Sequence, residues 1–329
     1  MQPLSTFTTE LPPCCVQVYD DFVFVGTYKL EEGTKRWGSL DIYRCDALHK
    51  FTRIENIATQ SAILDIKLNH NLLLLVLAHS EGYISVWKVD IEGSPSLLLL
   101  KKIQIAEDTT VLVTLVHFNP TTATQVVATL TSGYLAIVDL ENSSITWLET
   151  AHELECWTAN FSETVGPVVY TGGDDAGLIA HDLRTNTSVF RTGHRHHEAG
   201  VVSILSPTSS WNSNHPYQLW TGSYDDKVRA FDLRVINDEL YAIPPTIKQE
   251  EYIGGGVWRL IPKPGTDRVL ACCMYDGGRI MSSSDGHIQV DRTFKGQHES
   301  MVYGADWMKD DKFITCSFYD KIVHIWEDK

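Results

Sequence analysis

A chain of 329 residues, 43% hydrophobic and 21% charged, has the composition of an ordinary soluble fold. Its net charge of −15 excludes general binding to nucleic-acid phosphate, which needs clustered lysine and arginine, and suits a cationic partner instead. Seven cysteines, an odd number with no C-x-x-C spacing, exclude a small-domain disulfide framework and argue against structural zinc.

The first predicted element is Ser5–Leu11 (S-T-F-T-T-E-L), a β-prone stretch ahead of the first inner strand. Strand pairs follow at Phe22–Tyr28 with Leu40–Arg44, Leu72–Leu77 with Tyr83–Lys88, and Val126–Leu130 with Tyr134–Asp139. The apolar runs Leu72–Ala78 and Leu97–Leu100 are too short to span a bilayer and read as buried strands. From Glu155 onward the pattern sharpens into Glu155–Phe161, Val168–Thr171, Leu178–Asp182 and Ser188–Arg191. Arg191–His197 (R-T-G-H-R-H-H) is locally basic but too short to track a phosphate backbone, and reads as a solvated loop. Next come Val201–Ser206, Gln218–Gly222 and Val228–Asp232. Asn237–Tyr252, acidic at Asp238, Glu239, Glu250 and Glu251, reads as a surface loop plus an outer strand. The last group, Val302–Trp307, Phe313–Cys316 and Ile322–Trp326, stops one strand short.

A phrase recurs through the second half: T-G-G-D-D at Thr171–Asp175, T-G-S-Y-D at Thr221–Asp225, C-C-M-Y-D at Cys272–Asp276 and C-S-F-Y-D at Cys316–Asp320. Its closing aspartates are 50, 51 and 44 residues apart (175 to 225, 225 to 276, 276 to 320). A strand-built repeat of that length means stacked sheets around an axis. The expected fold is therefore all-β: one domain over residues 1–329, a seven-bladed WD-repeat β-propeller. The N-terminal strand would complete the last blade and remove an exposed edge. Six or eight blades also fit the fainter first half.

Three histidines stand four residues before an inner strand: His152 before Cys156, His197 before Val201 and His298 before Val302. With the turn aspartates they match WD-repeat proteins, where such residues hydrogen-bond within a blade. His194, His196 and His197 lack a carboxylate or thiol at ligand spacing, so no metal site is expected. G-x-S-x-G, P-loop and G-x-G-x-x-G signatures are absent; the nearest string is S-S-S-D-G at Ser282–Gly286. On motifs alone the chain reads as a non-enzymatic interaction platform.

Two segments exceed what blades require. Gly254, Gly255 and Gly256 lead straight into Val257, Trp258 and Arg259, offering close backbone approach, N–H donors, a flat aromatic face and a guanidinium fork. Gln297–Trp307 (Q-H-E-S-M-V-Y-G-A-D-W) gathers His298, Glu299, Tyr303, Asp306 and Trp307 before and within an inner strand. The equivalent loop of blade four supplies His152, Glu153, Glu155 and Trp157. In a propeller such loops share one face, so aromatics and carboxylates from blades four, six and seven are expected to meet. That combination suits a quaternary ammonium held by cation–π attraction and local negative charge.

The strings G-G-D-D-A-G-L, T-G-S-Y-D, G-G-V-W-R, L-A-C-C-M, V-Y-G-A-D-W and C-S-F-Y-D resemble the WD-repeat diphthine methyl ester hydrolases of eukaryotic diphthamide biosynthesis. The resemblance is strong from Thr171 to the C-terminus and rests on strand pattern before it. It implies hydrolysis of the methyl ester of methylated diphthine on elongation factor 2, giving diphthine for later amidation. It also implies action without metal or organic cofactor, with other diphthamide-pathway proteins as further partners. The cysteine pattern, the acidic charge and the short apolar runs lead to the separate expectation of a cytoplasmic protein, taken as a monomer, that meets neither nucleic acid nor membrane. Glu299, His197 and His298 are then the candidate bases, and Arg259 with the amides of Gly254–Gly256 the oxyanion donors. Trp157, Trp258, Tyr303 and Asp306 would bind the cation, and a covalent route would use Cys156 or Ser300. Histidines tied into blades would not be free to act as bases. The competing readings are an adaptor that binds elongation factor 2 without turnover, and an adaptor of a ubiquitin-ligase or trafficking complex.

Overall fold

Short runs of β-branched and aromatic residues, punctuated by Asp- and Gly-containing turns, fold here as strands rather than helices. The computed structural model describes residues 1–31, 33, 35–91, 96–234 and 244–329. Its described strands form seven antiparallel sheets, each of four consecutive strands or their equivalent, the architecture of a seven-bladed β-propeller. Blade four shows the plan: inner strand Cys156–Phe161, then Val168–Gly173, Leu178–Asp182 and outer strand Thr187–Arg191. Middle strands are buried on both faces and read as continuous apolar runs, as in Phe22–Thr27 and Arg268–Cys273. Blade one carries an extra two-residue strand, Lys29–Leu30, paired to the start of its long third strand Arg36–Cys45. Among the described residues, no helix is long and apolar enough to cross a membrane.

The last blade lacks a fourth strand of its own, and Ser5–Thr8 supplies it. This segment pairs antiparallel with Ile322–Glu327, from Ser5 opposite Ile325 to Thr8 opposite Ile322. Thr6 Oγ1 meets His324 Nδ1 at 2.8 Å, and Phe7 packs 4.2 Å from Phe51 and 4.7 Å from Tyr43.

One sequence expectation is overturned and another is met over the described residues. Leu97–Leu100 is not a buried strand: it lies in the outer strand Ser96–Gln104, where Leu98 is 65% exposed and Leu99 and Leu100 are also exposed. Leu97 packs against the core of the first unit, and Leu98–Leu100 lie in water. In Asn237–Tyr252, the part Thr246–Tyr252 is the expected outer strand, with alternating exposure, and residues 237–243 lie outside the described residues.

The strands group into two compact units: Met1–Leu130, Ala136–Ile145 and Gly296–Lys329 in one, Thr131–Leu135 and Thr146–Lys295 in the other. Apolar side chains of successive blades form the cores within each. In the first unit one core joins Phe24, Leu40 and Ile42 to Ile66, Leu75 and Leu77. In the second, another joins Trp211, Trp220 and Val228 to Val257, Leu260 and Met281.

One irregularity recurs in all seven inner strands. The register slips by one residue at the start of each, a β-bulge that leaves Cys14, Leu64, Thr114, Trp157, Val202, Trp258 or Tyr303 unpaired with the second strand. A bulge bends its strand and re-aims the extra side chain. Trp157, Trp258 and Tyr303, singled out from sequence, thus occupy one structural position in three blades.

Candidate functional site

A second repeated position lies beside the bulge. In six blades the residue that follows the second strand donates its amide to the carbonyl just before the inner strand: Tyr28 to Pro12, Ser80 to Ala62, Asp174 to Glu155, Tyr224 to Gly200, Met274 to Gly256 and Phe318 to Met301. Its backbone is therefore committed and its side chain is available to vary.

In the second unit these two positions build a cluster. The rings of Trp157 and Trp258 are 5.7 Å apart and tilted by 60°; Tyr224 stacks on Trp258 at 6.1 Å and 25°. Trp258, only 9% exposed, is the floor, and the half-buried Trp157 and Tyr224 stand about it. The Trp157 indole N–H donates to Asp174 Oδ1 at 2.8 Å. Burial raises the Asp174 carboxyl above its usual range, and the nearby negative charges of Glu155 and Asp175 add to the shift. Burial likewise raises the Tyr224 phenol, with Asp174 contributing. The Arg259 guanidinium lies 4.9 Å over the Trp258 ring, a cation–π contact within the protein. Gly200 is required between two of these groups. A Cβ there would stand 2.7 Å from Asp174 Oδ1 and 3.1 Å from Tyr224 Cδ2.

Three consecutive glycines precede Trp258, each left-handed, with φ of 81°, 74° and 70° at Gly254, Gly255 and Gly256. Their proposed service as oxyanion donors is largely ruled out. Gly254 N–H already donates to the Asp226 carbonyl at 3.1 Å, and Gly256 N–H to the Asp226 carboxylate at 2.6 Å. The glycines are needed for shape: a Cβ on Gly255 would meet Asp276 Cβ at 2.9 Å and its amide at 3.0 Å.

In the first unit, Tyr303 packs edge-on against Phe318 at 5.4 Å, and Phe318 against Tyr28 at 6.0 Å. The Tyr303 hydroxyl lies 2.8 Å from Met301 Sδ. Asp306 is not a cation ligand. Its carboxylate accepts from Val18 N–H at 2.7 Å, Trp307 N–H at 2.9 Å and Gln17 Nε2 at 3.3 Å, tying the last blade to the first. Burial pushes that carboxyl up to about 6. Glu299 is exposed, and its amide donates to Asp320 Oδ2 at 2.7 Å. Glu153 and Glu198 hold the same place against Asp175 and Asp225, each after a blade histidine. Ser300 Oγ accepts the Tyr319 amide at 2.8 Å.

Both candidate histidine bases are structural. His298 is 1% exposed, with Nδ1 2.5 Å from Ser317 Oγ and Nε2 2.8 Å from Thr315 Oγ1. The proton order is fixed by the ends of the chain: Ser317 donates to the Asp320 carboxylate and the Trp326 indole donates to Thr315. The imidazole therefore donates through Nδ1, and burial keeps the ring neutral, which leaves Nε2 to accept from Thr315. His197 is 0% exposed, with Nε2 2.9 Å from Thr221 Oγ1. Burial pushes both rings down to about 3, so neither can meet a substrate or hold a proton near neutrality. Cys156 is also 0% exposed and burial raises its thiol, which removes the thiolate route. Among the described residues no group of three or more histidine, cysteine or acidic side chains could hold a metal ion.

Asp174 and Tyr224 are the members that motif reading passes over. The signal for Asp174 was the doubled aspartate of G-G-D-D, since the turn needs only one. Asp175 does the turn's work, accepting from His152 Nδ1, Glu153 N–H, Gly177 N–H and Arg191.

Residues 291–327 match the family described as WD domain, G-beta repeat. The chain is 33% identical to the "Diphthine methyltransferase" of Saccharomyces cerevisiae over 98% of its own length and 97% of that relative's. It is 35% identical to the protein of that name from Schizosaccharomyces pombe, over 99% and 98% respectively. A "Diphthine methyltransferase homolog" of Dictyostelium discoideum is 26% identical over 94% of each chain. Among solved structures, a chain of "Crystal Structure of Mitotic Checkpoint Complex" superimposes with a TM-score of 0.75 over 99% of this chain and 92% of that one. At 15% identity that likeness shows the fold alone.

Proposed function

The chain belongs to the diphthine methyltransferase family, and from that premise we propose that it hydrolyses the methyl ester of methylated diphthine on elongation factor 2. The coarser part, a place in diphthamide biosynthesis, follows from the family. The finer part, action on the methylated diphthine side chain, is supported chiefly by one observation. Trp157, Trp258 and Tyr224 form an aromatic group with the Asp174 carboxylate at its side, in an acidic chain. Diphthine bears a trimethylammonium group, which such a group holds by cation–π attraction and opposite charge. The ester is then seated next to Arg259, whose N–H fork can donate to the carbonyl oxygen as negative charge develops on it. Water adds to the carbonyl carbon, the bond to the methoxy oxygen breaks, and methanol departs with a proton from the water. The carboxylate left behind is the group a later amidation consumes. On this reading the protein works as a cytoplasmic monomer on a folded protein partner.

Purified protein, incubated with methylated-diphthine elongation factor 2 and no methyl donor, is expected to lower the mass of the modified peptide by one methylene. In heavy-oxygen water the label should enter the new carboxylate. A mass gain that depends on added methyl donor would reject hydrolysis in favour of transfer. One observation favours a second reading, a non-catalytic adaptor: the two expected imidazole bases are locked inside blades. An adaptor would bind elongation factor 2 tightly and leave the ester intact.

A further inference from the structure

We propose that Asp174 is the specificity-determining carboxylate of this site, the countercharge that makes the Trp157–Tyr224–Trp258 group select a quaternary ammonium over a neutral group of the same shape. This rests on the reading of the cluster as the seat of the diphthine cation.

The repeat itself isolates the residue. At the position after the second strand, the other six blades place Tyr28, Ser80, Thr131, Tyr224, Met274 and Phe318, none of them charged at neutral pH, and blade four places an acid. The fold does not require that acid. Its backbone amide performs the common duty to Glu155, and the neighbouring Asp175 makes every turn contact. The Asp174 side chain has one partner among the described residues, the Trp157 indole on Oδ1. That bond orients the carboxylate against the ring that faces Trp258. Gly200 leaves room where any larger residue would press on both the carboxylate and Tyr224. Tryptophan and tyrosine faces attract any cation, but they also accept an apolar group of equal size. A half-buried carboxylate separates the two, because an uncharged occupant leaves the charge desolvated and uncompensated.

The test is a binding titration read from tryptophan fluorescence, using a betaine amide and its tert-butyl isostere, neither of which has an ester to cleave. Wild-type protein is expected to prefer the cation by about tenfold or more. Asp174→Asn, which keeps an oxygen for the Trp157 indole, is expected to bring that preference to about twofold or less, mainly by weakening the cation. Asp174→Glu should restore part of it. Thermal melting of each variant separates a changed site from a damaged fold, and Leu98→Lys, on the exposed outer strand Ser96–Gln104 of the first unit, should leave the preference at wild type. An Asp174→Asn protein with wild-type preference, or a wild-type protein with none, overturns the inference. Turnover of modified elongation factor 2 is measured in parallel. Turnover without an Asp174-dependent preference overturns this inference alone; the preference without turnover overturns the hydrolase reading alone.

Discussion

Trp258 meets an indole, a phenol and a guanidinium on its surroundings, so its loss should register in substrate binding before anything else. Trp258→Ala is expected to raise KM for modified elongation factor 2 by about tenfold, with a smaller effect on kcat, in steady-state assays. Glu299→Gln is expected to change kcat/KM by no more than about twofold, because Glu299 shares its place with Glu153 and Glu198; a general base would lose about a hundredfold or more. Trp157, Trp258 and Tyr303 were legible in the sequence because each directly follows the first residue of an inner strand, where the bulge sits. The histidines misled for an instructive reason. Their residue type is that of a catalyst, while their spacing from the strand is that of a blade fastener, and burial lets spacing win. Glycine amides misled similarly: a run of glycines signals unusual φ, but says nothing about whether the N–H groups are already taken by Asp226.

At the level of a blade, the turn aspartate links the sheet to the loop before it. Burial alone would raise the Asp175 carboxyl, but hydrogen bonds from His152 and from the Glu153 and Gly177 amides outweigh it and hold the group well below the usual carboxylate range. A depressed carboxyl stabilises the fold at pH above its unfolded value of about 3.9 and loses that contribution as pH falls through the folded value. Asp175→Ala is expected to cost about 2–4 kcal/mol in denaturant unfolding at neutral pH, by leaving His152 Nδ1 without its acceptor and Arg191 with Glu153 alone. The outer strand Ser96–Gln104 should behave oppositely. Leu98→Lys is expected to shift stability by less than about 0.5 kcal/mol, since its side chain is already in water. A leucine run resembles a buried strand on composition. Its place as the outer strand of its sheet, which no local pattern records, exposes it.

The whole molecule depends on its two ends meeting in one sheet. Removing residues 1–8 would bare the edge of Ile322–Glu327 and undo the packing of Phe7, and is expected to cost about 3 kcal/mol or more and promote aggregation, measured by denaturation and light scattering. Acid should also act globally. Burial holds His79, His181, His197 and His298 at about 3, and His117 and His324 at about 4. The unfolded chain binds these protons from about pH 6.5 downward and the native one does not, so stability is whole above that pH and declines steadily below it. Asp306, raised to about 6, opposes the trend only between about pH 6 and 3.9. Melting temperature is expected to drop by at least about 5 °C between pH 7.5 and 5. The fold was readable because a phrase returned every fifty residues or so; the site was half readable, because the register slip at the strand starts announces Trp157 and Trp258, while Asp174 and Tyr224 sit after second strands, where no fixed letter marks them. That slip has a practical corollary. The same backbone step is met by cysteine, leucine, threonine, valine, tyrosine or tryptophan, so it accepts many side chains, but at different depths. New chemistry can be installed by a single swap at the half-buried Tyr303, whereas Thr114, bonded to Thr129, and Val202 are buried and a larger group there would displace its neighbours.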